Sequence, residues 1–192
     1  GVTTSTQFTG VYGEVATFDG TNLTIDFSNQ DGTLESLSKY DIMSCVSTLN
    51  DNVLTFNFKH QCAILRLTVR DYYKYGEAND KIDITFNNAA IPDGINAQGF
   101  VFNSENMSYR MSDLSKFIWS EKDDDPYKRP YREAIAYLVV PPMTYKKGTD
   151  QTGVNNNGFD KFINLGSINN QEIKAGVIYD VLVYNSPYGE DW

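Results

Sequence analysis

The sequence predicts an all-β fold, an antiparallel Greek-key β-sandwich, and three observations carry that prediction. Apolar residues recur with a period of two in several short runs, the mark of strands with one buried face; the clearest run is 53–70, VLTFNFKHQCAILRLTVR. Turn-forming pairs and Asn, Gly or Pro clusters separate the runs at short intervals. Aromatic residues make up 14% of the chain, which suits pleated surfaces, and no long helical periodicity competes with them. Short strands in this number, with turn signals between them, fit two packed sheets.

At 192 residues the chain is long enough to fill a core. Residues 1–10 are polar, rich in Ser and Thr, and expected to be loose at a chain end. Residues 11–18 and 22–28 read as two strands joined at Asp19–Gly20, a hairpin signal because Gly accepts positive φ. Residues 29–39 read as a turn-rich loop around Asp31–Gly32. Residues 40–48 read as a short buried strand, which Asn50–Asp51–Asn52 turns into the central run. There Leu54, Phe56 and Phe58 fall on one parity and Val53, Thr55, Asn57 and Lys59 on the other, which assigns the apolar set to a buried face. From Ala63 the parity flips to Ala63, Leu65, Leu67 and Val69, with Arg66, Thr68 and Arg70 outward. A flip inside one apolar run requires a bulge or corner near His60–Gln61–Cys62. The run is therefore expected to form two consecutive strands, or one strongly bent strand, at the centre of the sandwich.

Residues 71–80 (DYYKYGEAND) read as a tyrosine-bearing loop, and 81–86 as another alternating strand. Pro92–Asp93–Gly94 marks a turn. Residues 98–111 read as a hairpin broken at Ser104–Glu105–Asn106, and 112–119 fit a short helical turn or irregular chain equally well. The acidic run 121–125 reads as a solvated loop. Residues 134–140 (AIAYLVV) read as a strand buried on both faces, stopped by Pro141–Pro142 because proline cannot donate to a ladder. Residues 148–158 read as a long flexible loop, after which 159–165 and 177–185 close the sheet across a turn at Ala175–Gly176.

The net charge of -9 and the pI near 4.5 repel phosphate backbones and disfavour nucleic acid as a partner. No apolar run of about 18 residues or more is present to span a membrane. His60 is the sole histidine, which leaves no second imidazole for a multi-His metal site, and no nucleophile motif accompanies it. Beside the expected bulge it reads as a structural side chain. Asp123, Asp124 and Asp125 lack the alternation of a calcium loop. The chain is accordingly read as a non-enzyme without cofactor or metal. Cys45 and Cys62 permit one bridge, and their spacing leaves open whether they pair. Tyr72, Tyr73 and Tyr75, with Trp119, Tyr127 and Tyr131 elsewhere, have two readings, a platform for stacking on sugar rings or a cover for loop edges.

Three segments, in this order, resemble the fimbrillin-like family of Bacteroidales surface proteins. They are Tyr40–Asp41–Ile42–Met43 leading to Phe58–Lys59–His60–Gln61–Cys62–Ala63–Ile64–Leu65, then Ala136–Tyr137–Leu138–Val139–Val140–Pro141–Pro142, then Lys174–Ala175–Gly176–Val177–Ile178–Tyr179. The resemblance divides the chain into a reduced amino-terminal part at 1–39, a sandwich at 40–186 and a tail at 187–192. It implies a transthyretin-like or immunoglobulin-like sandwich, export as a lipoprotein, and display at the outer membrane as a pilus subunit or adhesin. Its expected partners are other pilus subunits or surface proteins, joined by strand addition, in which main-chain bonds supply affinity and side-chain pockets supply register. Membrane contact is expected only through a lipid anchor absent from the sequence as given. The groove for such a strand is expected beside Leu54, Phe56 and Phe58 or Leu65, Leu67 and Val69. The alternative is a carbohydrate-binding module for host or dietary glycans, using the aromatic loops.

Overall fold

A computed structural model describes residues 3, 6–18, 23–27, 29–72, 82–86, 100–102, 108–111, 113–144, 152–156, 159–162 and 172–185. In chain order its strands are β1 (Gln7–Tyr12), β2 (Ala16–Phe18), β3 (Leu23–Ile25), β4 (Met43–Thr48), β5 (Lys59–His60), β6 (Ala63–Tyr72), β7 (Ile82–Phe86), β8 (Phe100–Phe102), β9 (Ser108–Met111), β10 (Ser120–Lys122), β11 (Tyr131–Val140), β12 (Met143–Thr144), β13 (Thr152–Asn156), β14 (Phe159–Phe162), β15 (Glu172–Ile173) and β16 (Ile178–Asn185). Among the described residues a helix, α1 (Leu34–Tyr40), and a 3₁₀ turn at Leu114–Lys116 join them. The fold is all-β, in sheets ordered β10-β11-β6-β16, β14-β13-β7-β9, β1-β4-β5 and β2-β3-β8, with β12 paired to β15. Most neighbours are antiparallel, but β16 runs parallel to β6 and β3 parallel to β8. The expectation of wholly antiparallel sheets is corrected at those two places, where a crossover replaces a hairpin.

The main sheet is built on β6, which is flanked by β11 and β16. Leu67 stands opposite Ala136 on one side and Val181 on the other, and Val69 opposite Ala134 and Val183. Ala63, Leu65, Leu67 and Val69 thus share a face with Ala134, Ala136, Leu138, Val140, Val181 and Val183, and all are buried. Leu114, Phe117 and Ile173 close this core from outside the sheet. The other face is enclosed at its two ends, where Tyr72 and Tyr131 cover each other and at the Ile64–Val139 end. There it meets a second core of Leu23, Ile25, Phe27, Tyr40, Ile42 and Cys62. Two-sided burial of β11 is therefore reached at Val139, while Ile135 on the same face is 42% exposed. Residues before Tyr40 supply half of the second core, and position 39 lies inside α1.

The outer edge of β11 is covered by side chain and loop rather than by a full strand. Its strand neighbour β10 reaches only Tyr131–Glu133. Further along, the buried Gln30 amide donates to the Val139 carbonyl at 2.8 Å and accepts from the Val139 N–H at 2.7 Å. Tyr137 N–H donates to the Gly32 carbonyl at 2.8 Å. Gly32 has φ +82, a left-handed conformation that favours glycine.

Several expectations are corrected. Residues 7–10, read as part of a loose end, join 11–12 in β1, which pairs along its length with β4, and the strand read over 11–18 divides into the end of β1 and β2. Residues 29–39, read as loop, contain most of α1, whose N-cap Thr33 accepts from Ser36 N–H at 3.1 Å. Seven residues are too few for a helical period to show, so capping is the only local signal. Residues 98–111 are not a hairpin, since β8 and β9 belong to different sheets. Part of 148–158, read as flexible loop, is the strand β13 between β7 and β14. The Asp19–Gly20 turn, the Pro92–Gly94 turn and the tail at 187–192 lie outside the described residues.

Candidate functional site

The central run divides at the predicted corner. Lys59–His60 pair with Met43 and Ser44, Gln61 N–H donates to the Ile42 carbonyl at 2.9 Å, and β6 begins at Ala63. His60 Nδ1 lies 2.8 Å from Asp41 Oδ1, which ties the corner to the residue after α1. The half after the corner is the buried strand expected. The half before it is not, and here the reading of Leu54, Phe56 and Phe58 as a buried strand face is corrected. Asp51 (φ 47) and Asn52 (φ 62) form a tight left-handed turn that closes Asn50 on Val53 through reciprocal main-chain bonds of 2.9 and 2.7 Å. Beyond Val53 the chain leaves the ladder, and 54–58 belong to no strand. Among the described residues one hydrogen bond reaches them, from Ser47 Oγ to the Thr55 carbonyl. Leu54 is half-buried, while Phe56 and Phe58 remain 42% and 44% exposed.

The two rings lie 6.2 Å apart, across the β1–β4 sheet. A Cβ placed on Gly10 would sit 3.0 Å from Phe58 Cζ, 3.0 Å from Cys45 Sγ and 3.3 Å from Phe56 Cδ1. Gly10 is therefore a recess into which both ring edges and the sulfur converge. Gly10 stands opposite Cys45, and Tyr12, two residues on, shares its face and is exposed. Phe58, His60, Gln61, Pro142, Lys174 and Gly176 line an open cleft of about 680 Å³ beside the segment. Leu65, Leu67 and Val69 lie instead in the main core, fully buried. Sequence reasoning singled out neither Gly10, which sits in the polar stretch read as a loose end, nor Tyr12, at the start of a strand read over 11–18.

A different arrangement occupies the end of the main sheet. Tyr72 is buried and stacks on Tyr131, with ring centroids 4.8 Å apart. The Arg129 guanidinium stands 5.4 Å from the Tyr72 ring centre and 4.7 Å from that of Tyr127, and Arg70 stands 5.4 Å from Tyr131. Trp119 packs on the main core, donates from Nε1 to the Leu114 carbonyl at 2.9 Å, and carries Arg132 at 4.2 Å over its ring. The cations are held in turn by carboxylates. Arg132 donates to the fully buried Asp71 at 3.0 Å, Arg70 to Glu133 at 3.0 Å, and Arg129 to Asp125 at 2.9 and 3.0 Å.

The reading of 121–125 as a solvated loop is corrected at its two ends: 121–122 lie in β10, and Asp125 is a buried fastening, while Asp123 and Asp124 are exposed. Asp125 also accepts from the Tyr127 and Arg129 N–H groups, and Arg129 first among these holds its carboxyl down at about 2. Asp124 accepts from the Tyr131 hydroxyl, which that bond, with burial second, pushes up to about 12. Of the rings proposed for sugar stacking, Tyr72 and Trp119 have neighbours on their faces. Tyr127 is exposed with Arg129 against it, and Tyr73 and Tyr75 lie outside the described residues.

A second open cleft, of about 750 Å³, runs along α1 past Asp31, Lys39 and Lys116. Burial pushes the Asp31 carboxyl up, but bonds from Thr33 and from Lys116 Nζ at 3.0 Å prevail and bring it to about 2. Cys45 and Cys62 are both free and buried, and burial pushes the Cys62 thiol up. Among the described residues no three His, Cys, Asp or Glu side chains gather as a metal site, and no helix is long and apolar enough to cross a membrane. No protein-family model matches the chain, and no curated protein matches it in sequence.

Proposed function

We propose that the chain is a non-enzymatic, exported cell-surface protein of the fimbrillin-like kind, a pilus subunit or adhesin on a Greek-key, transthyretin-like sandwich that assembles by strand addition. The observation that supports this reading is residues 54–58. Their main-chain groups lie outside any ladder, and apolar side chains alternate along them with period two. Unpaired main chain beside apolar side chains is a template for another chain, and natural proteins normally blunt it with charge, proline or a covering element. Here an incoming strand supplies the missing main-chain bonds, and Phe56 and Phe58 set its register. The glycan-binding alternative leans on Tyr72, Tyr73, Tyr75, Trp119 and Tyr127; the faces of Tyr72 and Trp119 are already occupied and the exposed Tyr127 has Arg129 against it, so strand addition is preferred.

The test is an unboiled denaturing gel of the protein from its native cell surface, probed with a specific antibody. A ladder of multimers that collapses on boiling is expected, because extensive main-chain pairing resists detergent. A single monomer band would overturn the reading of the chain as a polymerising subunit.

A further inference from the structure

We propose that residues 54–58 form a displaceable strap over the β1–β4 sheet, seated by Phe56 and Phe58 at Gly10 and Cys45, that opens while the rest of the fold stays closed. The strap is fastened lightly, by one hydrogen bond from Ser47 and two half-exposed rings. The sheet beneath does not depend on it. β1 and β4 are registered from Gln7–Thr48 to Tyr12–Met43, and lifting the strap breaks none of those rungs. Both ends are suited to hinge. One is the left-handed Asp51–Asn52 turn, which closes on itself through the Asn50–Val53 bonds. The other is the two-residue strand β5. A segment with few buried apolar contacts and little main-chain bonding opens at a lower free energy than the core it rests on.

The closed strap hides a reporter. Cys45 lies under the ring edges, whereas Cys62 is built into the second core with Ile25, Phe27 and Val139. Opening the strap bares the Gly10–Cys45 face beside the already exposed Tyr12 and leaves Cys62 covered. The inference stands on side-chain geometry within one chain and holds whether or not the segment takes a partner strand.

Native-state labelling of the purified monomer with excess thiol reagent tests it, each cysteine followed by peptide mass spectrometry and normalised to its rate in the denatured chain. In the parent protein Cys45 is expected to label at least tenfold faster than Cys62. Phe58→Ala, which removes one fastening, is expected to speed Cys45 labelling severalfold and leave the Cys62 rate unchanged. Gly10→Ala fills the recess beneath both rings and is expected to act in the same direction. A common rate for the two cysteines in the parent protein would mean that the segment opens only with global unfolding, and would overturn the proposal. So would a Cys45 rate unmoved by both substitutions.

Discussion

Residues 54–58 and 63–69 lie a few positions apart and alternate apolar and polar side chains with the same period, but only the second group is enclosed. β6 has β11 on one side, β16 on the other and Leu114, Phe117 and Ile173 above it. Residues 54–58 have no strand on either side, and their rings lie on a sheet edge region whose own recess is a glycine. Periodicity states that a strand-like segment has one apolar face. Flanking strands and a second layer decide whether that face is buried, and they come from distant parts of the chain. Under the strand-addition proposal, this apolar alternation without flanking strands is the surface offered to a partner.

Substitutions that touch the enclosed region should cost most. Asp71→Ala leaves the Arg132 guanidinium beside a buried site without its carboxylate, and breaking such a pair costs about 3–5 kcal/mol. Leu67→Ala opens a cavity between Ala136 and Val181 and should cost about 2–5 kcal/mol. Both are read from denaturant midpoints at constant slope. Gln30→Ala strips the Val139 N–H and carbonyl of their partner, and its expected cost is about 1–3 kcal/mol by the same assay. Against these, Phe58→Ala should cost no more than about 1 kcal/mol, since its ring is only part-buried. A loss as large as that of Leu67→Ala would show that 54–58 belong to the core after all.

Two carboxylates beside the main sheet, Asp125 and Asp31, make the fold respond to acid. The Asp125 carboxyl titrates near 2 in the folded chain, below the ordinary aspartate value of about 3.9. Its contribution is therefore present above about pH 4 and is lost as pH falls through about 2. Asp31, also near 2, acts in the same window at α1. Denaturant midpoints of the parent protein should fall between pH 4 and 2. Asp125→Asn should be less stable at neutral pH and lose less over that window. An unchanged slope would show that Arg129 does not fasten the 125–129 turn through this carboxylate.

The main sheet was readable because Ala63–Val69 and Ala134–Val140 combine strong apolar character with clear breaks at His60–Cys62 and Pro141–Pro142. β1 was readable only from Val11, because Gln7–Gly10 holds a single large apolar side chain, Phe8, and its pairing with β4 is non-local. α1 was hidden by its two-turn length. The stack of Tyr72, Tyr131 and their arginines joins residues about sixty positions apart, a distance over which one sequence shows no correlation. In sequence Tyr72 reads as an aromatic residue at a loop edge, and the pattern cannot reveal that Tyr131 and Arg129 already cover it. For Leu54, Phe56 and Phe58 the alternation is present, but it could not reveal that no sheet takes up the segment and that both rings stay largely exposed.

The most direct test of the contrast is residue-resolved amide hydrogen exchange on the isolated monomer and on the assembled form. The account predicts that amides at 54–58 exchange rapidly in the monomer while those of β6 and β11 exchange only with global unfolding, and that 54–58 become protected on assembly. Protection of 54–58 in the monomer equal to that of β6 would contradict it.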